Sequence, residues 1–307
     1  QRGNPWTRPA NIVTNGPFRL TEWRQNQVIA VDKFPGYWDA ATVRLNGIRF
    51  YPLDSVDAEE RAFRAGQLHV TEYAPISKID SYRQNSPHLL RLDPYLATYF
   101  FRLNTRRPPL NDVRVRRALA LAIDREAIVT RLLRGGQRPA HALTPPGTAG
   151  YTARARVPSD PAEARRLLAE AGFPGGRGLP PIDLLFNTSE NHRAVAEAVQ
   201  EMWRRELGLE IRLANQELKV THAARRAGDY QILRGDWIGD YLDPATFLDI
   251  FRGDSGNNYT GWAQPEYDAA LFAAARTADP AARAELLQRA ESILLEGVPF
   301  IPVYHYT

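Results

Sequence analysis

Between residues 160 and 233 the chain alternates helix-like and strand-like segments with links of only a few residues. That alternation restricts its fold more than any other feature. Residues 160–171 form a helical segment, N-capped by Ser159 or Asp160, with Pro161 in the first turn and Gly172 closing it. Residues 182–186 are a strand. Residues 189–207 are a helix that places Ala196, Val199 and Trp203 on one face. A strand at 209–213, a helix at 217–227 and a strand at 230–233 follow. Strand–helix–strand with short links requires parallel pairing and right-handed crossovers, so this part of the chain is α/β.

The first hundred residues differ in character. Strands are expected at 18–20, 28–31, 47–51, 89–92 and 98–103, with a turn at 14–17 and a short helix at 57–65 stopped by Gly66. A linker at 105–109 then leads to a helix at 113–133. Asn111 or Asp112 caps it, and Val115, Leu119, Ala122, Ile123 and Ala127 keep helical spacing along it. Residues 139–158 are irregular and Pro-rich. Helices at 265–276 and 280–295 and a strand at 300–304 complete the chain. The expected organisation is a β-rich part of a first lobe (1–104), an α/β lobe (105–296) and a strand returning to the first lobe (297–307). Crossings near 98–104 and 298–306 would act as a hinge.

Catalysis finds little support among the residues. There is no cysteine, so disulfides, thiol nucleophiles and thiolate metal sites are excluded. No G-x-S-x-G, H-E-x-x-H, Walker A or G-x-G-x-x-G segment occurs, and the six histidines show no ligand spacing. Asp240, Asp243, Asp249 and Asp254 miss the alternating pattern of a calcium loop and read as caps and turns. Neither a metal nor a cofactor is implied. The net charge of +4 is carried mostly by arginine, with Lys33, Lys78 and Lys219 the only lysines. Acids break every basic stretch, unlike the clustered charge of a nucleic-acid face. No apolar run approaches the ~20 residues of a bilayer span. The first residues, Q-R-G-N-P-W, do not read as a signal peptide, so one was either removed or never present.

The segment R-G-D-W-I-G-D-Y-L-D-P at 234–244 carries the clearest functional signal. It follows the strand at 230–233, at the carboxyl end where open α/β sheets bind ligands. Gly235 and Gly239 allow close backbone approach, and Trp237 and Tyr241 supply apolar walls. Asp240 suits an ammonium group and Arg234 a carboxylate, the two charges at the ends of a peptide. Extended backbone at Gly235 could pair with a peptide as an added strand. A Gly-rich turn with a helix cap at Asp243 accounts for the same residues equally well.

Several segments in order resemble the bacterial oligopeptide-binding proteins, the family 5 extracellular solute-binding proteins that serve ABC importers. They are W-T-R-P-A-N-I-V-T-N-G-P-F-R-L-T-E-W (6–23), D-P-Y-L-A-T-Y-F-F (93–101) and N-D-V-R-V-R-R-A-L-A-L-A-I-D-R (111–125). F-N-T-S-E-N-H (186–192), W-I-G-D-Y-L-D-P (237–244) and V-P-F-I-P-V-Y-H-Y (298–306) follow. The resemblance implies a two-lobed α/β periplasmic-binding-protein fold with hinge strands, of the type II, large peptide-binding class. It implies a non-enzymatic, monomeric periplasmic receptor with a peptide ligand and a permease partner in the inner membrane. Asp240 would grip the peptide ammonium, and Arg234, His192 and Arg225 would face carboxylates. Trp237 would line a side-chain pocket. Alternatives within the fold are a sugar, an opine or a metal chelate as ligand, or a shortened form that binds nothing. Arg102 stands where the best-studied relatives have an acid, and Arg134 where a lysine is frequent. If both line the cleft, acidic peptides should be favoured. The family usually runs to roughly five hundred residues, so the chain is expected to be shortened at both ends and to lack the family's small extra domain.

Overall fold

The computed structural model describes residues 5–307, which divide into two compact units at Tyr73/Ala74. The smaller unit is built on an antiparallel sheet of β1 (Phe18–Arg24), β2 (Val28–Lys33) and β3 (Gly47–Phe50), followed by α1 (Val56–Arg64). The reversal between β1 and β2 falls on Asn26, at φ 57°, and not at 14–17. Residues 14–17 instead form a local turn in which the Gly16 N–H donates to Thr14 Oγ1. Asn tolerates the left-handed conformation, which lets it serve here without a glycine. Ser55 caps α1 by accepting from the Ala58 N–H.

The larger unit is organised around one mixed sheet. Its strands are β4 (Ala97–Leu103), β5 (Arg138–Pro139), β6 (Ile182–Asn187), β7 (Ile211–Gln216), β8 (Ile232–Ile238) and β9 (Phe300–His305), in the order β5-β9-β4-β8-β6-β7. The β6–β7 and β6–β8 pairs are parallel, as the short links require. β4 runs antiparallel between β8 and β9 and is buried along its whole length. The two segments expected to act as crossings, 98–104 and 298–306, are therefore neighbouring strands at the centre of this sheet. The sequence reading set a boundary at 104. The compact units instead divide at 73/74, because the pairing of β4 ties it to strands that follow it in sequence.

The helices of this unit are α2 (Ile79–Asn85), α3 (Val113–Leu121), α4 (Arg125–Ala127), α5 (Pro161–Glu170), α6 (Glu190–Leu207), α7 (Leu218–Ala227), α8 (Ala245–Leu248), α9 (Pro265–Arg276) and α10 (Pro280–Gly297). The single helix expected at 113–133 is interrupted. Asp124 leaves the helical region and caps a new turn by accepting from the Ala127 N–H, and 128–133 continue as a π-helix. The strand expected at 89–92 does not form; residues 87–89 make a 3₁₀ turn and 90–96 are irregular. Trp203 of α6 is fully buried, and its indole N–H donates to the Leu119 carbonyl, fixing α6 to α3. Among the described residues no helix is long and apolar enough to cross a membrane.

Candidate functional site

The segment expected to be a turn after a strand is itself strand. β8 extends through Arg234, Gly235, Asp236 and Trp237 to Ile238, paired with β4 over its whole length. Its pairing with β6 stops at Leu233. Beyond that residue the edge facing β6 has no ladder partner among the described residues. Pairing with β4 also assigns each side chain to a face, since directly opposed residues project the same way. Arg234 opposes Phe101 and Asp236 opposes Tyr99, so these four share one face. Gly235 opposes Phe100 and Trp237 opposes Thr98 on the other face, which Arg102 also occupies.

On the first face, Tyr99 is fully buried and stacks on Tyr304 of β9 at 4.7 Å between ring centres. The Arg234 guanidinium lies 4.9 Å over the Tyr99 ring. It donates to Asp236 at 2.9 Å, to the Tyr306 hydroxyl at 2.7 Å and to Asn187 Oδ1 at 3.4 Å. Burial alone would lower the Arg234 pKa, but the phenols of Tyr306 and Tyr99 and the Asp236 carboxylate reverse this and raise it. Arg234 is thus a permanent cation that Asp236 already partly neutralises. His192, in the first turn of α6, sits with its ring 5.7 Å from Tyr99. Burial, reinforced by the Arg234 charge, pulls its imidazole down to about 3, so it is neutral near pH 7.

On the opposite face, Arg102 is 1% exposed and lies 5.0 Å from the Phe100 ring centre and 5.6 Å from that of Tyr259. Its Nη1 donates to the Asn257 carbonyl at 3.2 Å. Burial lowers its pKa to about 10, with Tyr230 opposing the shift and Arg225 reinforcing it. Arg225, in the last turn of α7, places its guanidinium 4.6 Å from the same Tyr259 ring centre. Gly235 makes room for this arrangement, because a Cβ there would stand 3.1 Å from the Phe100 ring and 3.2 Å from Arg102 Nε.

Past β8 the chain is tethered by backbone. The Gly239 N–H donates to the Leu96 carbonyl at 2.7 Å, and the Asp240 N–H donates to Thr246 Oγ1 at 3.0 Å. Asp243 Oδ1 accepts from the Ala245 N–H at the start of α8, and its two carboxylate oxygens hold Arg283 at 2.8 and 2.9 Å. The Asp240 carboxylate makes no hydrogen bond or ion pair with any described residue, and Asp240 and Tyr241 are both exposed. Arg134 lies elsewhere, at the end of the π-helix. There it pairs with Asp80 at 2.7 Å, and no described contact joins it to the other residues.

Buried side-chain nitrogen and oxygen atoms without a hydrogen-bond partner fall on nine described residues. Six of the nine are Tyr99, Arg102, His192, Arg225, Arg234 and Trp237; the others are Thr144, Gln216 and Arg252. Unsatisfied buried polar atoms are uncommon in native proteins, so six residues of this kind on and beside β4 and β8 single this region out as the candidate site. Sequence reading found five of these six. Tyr99, and with it Asp236, Tyr259 and Tyr306, went unrecognised. Asp236 was within reach, because period-two alternation puts it beside Arg234 once 234–238 is read as strand.

A family model for the bacterial extracellular solute-binding proteins, family 5 Middle, matches residues 1–259. The chain is 37% identical over 315 residues to the periplasmic oligopeptide-binding protein OppA of Salmonella typhimurium, covering 99% of this chain and 57% of that protein. The structure of the Escherichia coli murein tripeptide binding protein MppA matches with a TM-score of 0.93 at 35% identity, over 99% of this chain and 61% of that one. Haemophilus influenzae OppA in complex with the peptide RPPGFSPFR matches at 0.90 and 30% identity, with the same coverages. The chain therefore spans less than two thirds of the length of each of these relatives.

Proposed function

The chain belongs to the bacterial extracellular solute-binding proteins of family 5, and on that premise we propose that it captures peptides in the periplasm and presents them to an ABC importer in the inner membrane. The observation that carries this reading is the concentration of unpartnered buried polar atoms along β4 and β8, beside an Asp240 carboxylate with no partner of its own among the described residues. In this proposal Asp240 takes the peptide ammonium. Arg234, His192 and Arg225 offer donors to carboxylates, and Trp237 and Tyr241 wall a side-chain pocket. Neutral His192 can donate or accept, so it can serve a carboxylate or a backbone carbonyl.

The unpaired edge of β8 beyond Leu233 gives the peptide backbone a place to pair as an added strand. Backbone pairing of this kind holds any sequence, while specificity is left to pockets for alternate side chains. Arg234 and Asp240 are six residues apart, so an extended ligand joining them spans at most about 20 Å, or up to about six residues at ~3.3 Å each. Arg134 has no place in this proposal, because Asp80 already engages it.

Titration calorimetry with tetra-alanine and its N-acetylated form tests the reading. A charge-assisted hydrogen bond contributes about 1.5–3 kcal/mol, so acetylation should weaken binding by about 10- to 100-fold. Asp240→Asn should weaken the free-amine peptide by a similar factor and leave the acetylated peptide unchanged. Failure of every pool of di- to pentapeptides to bind would refute the proposal.

A further inference from the structure

A cleft of about 210 Å³ opens between α3, residues 155–158 and the end of α10, and no residue of β4 or β8 lines it. Its floor is apolar: Leu121, Val157, Leu295 and Val298 line it, and each is at most 7% exposed. Its rim carries three exposed charges, Arg117, Arg156 and Glu296. None of the three forms an ion pair with a described residue. Glu163, the acid whose charge Arg117 reaches, gives both oxygens to Arg166, at 2.6 and 2.7 Å. Glu296 accepts from the Ser292 hydroxyl on Oε1 at 3.1 Å, and its Oε2 has no described partner. The walls are tied by hydrogen bonds. The Asp160 N–H donates to the Leu121 carbonyl at 2.8 Å, and Val157 exchanges two bonds with His141, at 2.8 and 2.9 Å.

Exposed charges elsewhere in the chain find partners, as Arg154 does with Glu285 and Arg165 with Glu206. Two cations and one anion that share a cleft and stay unpaired leave places for the opposite charges of a ligand, and the apolar floor beneath them strengthens any such pairing. Glu296 lies in the last turn of α10, at the negative end of the helix dipole, and that turn carries no basic residue of its own. A ligand cation is favoured there by the carboxylate and by the dipole together. Size narrows the choice. The cleft exceeds the ~150 Å³ that takes up a benzene and falls short of the ~300–1,000 Å³ of most ligand pockets, so its occupant is small.

We propose that this cleft is a second binding site, separate from the residues along β4 and β8, and that it takes a free amino acid with an apolar side chain. Arg117 and Arg156 hold the α-carboxylate. Glu296, oriented by Ser292, holds the α-ammonium. The side chain lies on Leu121, Val157, Leu295 and Val298. A free amino acid carries both charges on one carbon and so meets both sides of a cleft this small. A peptide carries them several ångströms further apart and does not. The inference is independent of the peptide-binding reading above, because the two sites share no residue.

NMR titration of the full chain with L-leucine, leucine amide, 4-methylpentanoate and glycine tests the proposal. Leucine should bind saturably with a Kd below about 1 mM. The other three lack the carboxylate, the ammonium and the apolar side chain in turn, and each should bind at least about 10-fold more weakly. Arg117→Gln, Arg156→Gln and Glu296→Gln change exposed positions, so the fold should tolerate them, and each should weaken leucine by about 10-fold or more. Affinity for tetra-alanine should be the same in Arg117→Gln as in the parent chain, which separates this site from the one along β8. Absence of leucine binding up to about 10 mM would overturn the proposal. So would equal affinity for leucine and the two analogues that lack a charge, which would reduce the cleft to an apolar patch. Leucine binding unchanged in all three variants would overturn it as well, by placing the amino acid elsewhere on the chain.

Discussion

Two charged side chains of the 234–244 segment differ in how far the chain itself engages them. Arg234, which the sequence assigns to a ligand carboxylate, is already held by Asp236 and Tyr306. Asp240, which the sequence assigns to a ligand ammonium, has a carboxylate with no partner among the described residues. Such differences depend on which side chains converge from distant segments, and no local pattern encodes that. The histidines give a further prediction. His192 and His305 are each pulled down to about 3, mainly by burial, from an ordinary value of 6.5. Between those values the unfolded chain binds more protons than the folded one, so stability should fall as pH drops from 6.5 toward 3. Each histidine contributes a slope of up to ~1.4 kcal/mol per pH unit within that window. Glu291 acts in the opposite sense, because burial raises its pKa and its protonated form favours the folded state as pH falls. Urea unfolding of His305→Gln across pH 4–7 should show a shallower loss toward acid than the parent chain. An unchanged slope would mean that His305 is not held neutral.

Among the elements, local signals failed where a polar side chain or a distant strand overrode them. The apolar spacing of 113–133 is continuous, but the Asp124 carboxylate competes for the backbone and restarts the helix. The sequence predicts that this strand ends at Leu233, because Gly235 and Asp236 are poor strand formers, but tertiary pairing with β4 overrides that propensity and carries β8 to Ile238. The N-D-V-R-V-R-R motif shows the opposite case, a family signature whose chemistry is structural. Arg116 lies in α3, 5% exposed, and donates to the carbonyls of Gly297 and Val298 at the end of α10 and to those of Leu110 and Asn111. A cation there satisfies helix-end carbonyls that would otherwise be orphaned and complements the helix dipole. Arg125 makes the equivalent bond to the Pro302 carbonyl of β9. A lysine cannot reproduce the planar fork, so Arg116→Lys should cost about 2–4 kcal/mol in chemical denaturation. A loss below about 1 kcal/mol would show that the backbone carbonyls find other donors.

For the whole molecule, the α/β class was legible because alternation with short links leaves few topologies. The division into units was not, because it depends on how much apolar surface each part buries. In the larger unit one continuous core runs from Tyr99 to Tyr304. In residues 5–73 only Val28, Ala30 and Glu60 are buried, while Trp38 is 85% exposed and Val70 80%, with Trp23, Phe50 and Tyr51 half exposed or more. A three-stranded sheet with two fully buried apolar side chains gains little from the hydrophobic effect, at roughly 1.5–3 kcal/mol for each large side chain buried. Its local opening free energy should therefore lie far below that of the larger unit, and proteases act on whatever opens most readily. Arg19, Arg24, Lys33, Arg44 and Arg49 place tryptic sites throughout this segment. Limited trypsin digestion should cut first within 1–73 and leave a product beginning near Ala74 that persists at least ten times longer. Survival of a fragment within 1–73 while the larger unit is degraded would contradict this ranking. It would mean that apolar burial does not govern where this chain opens.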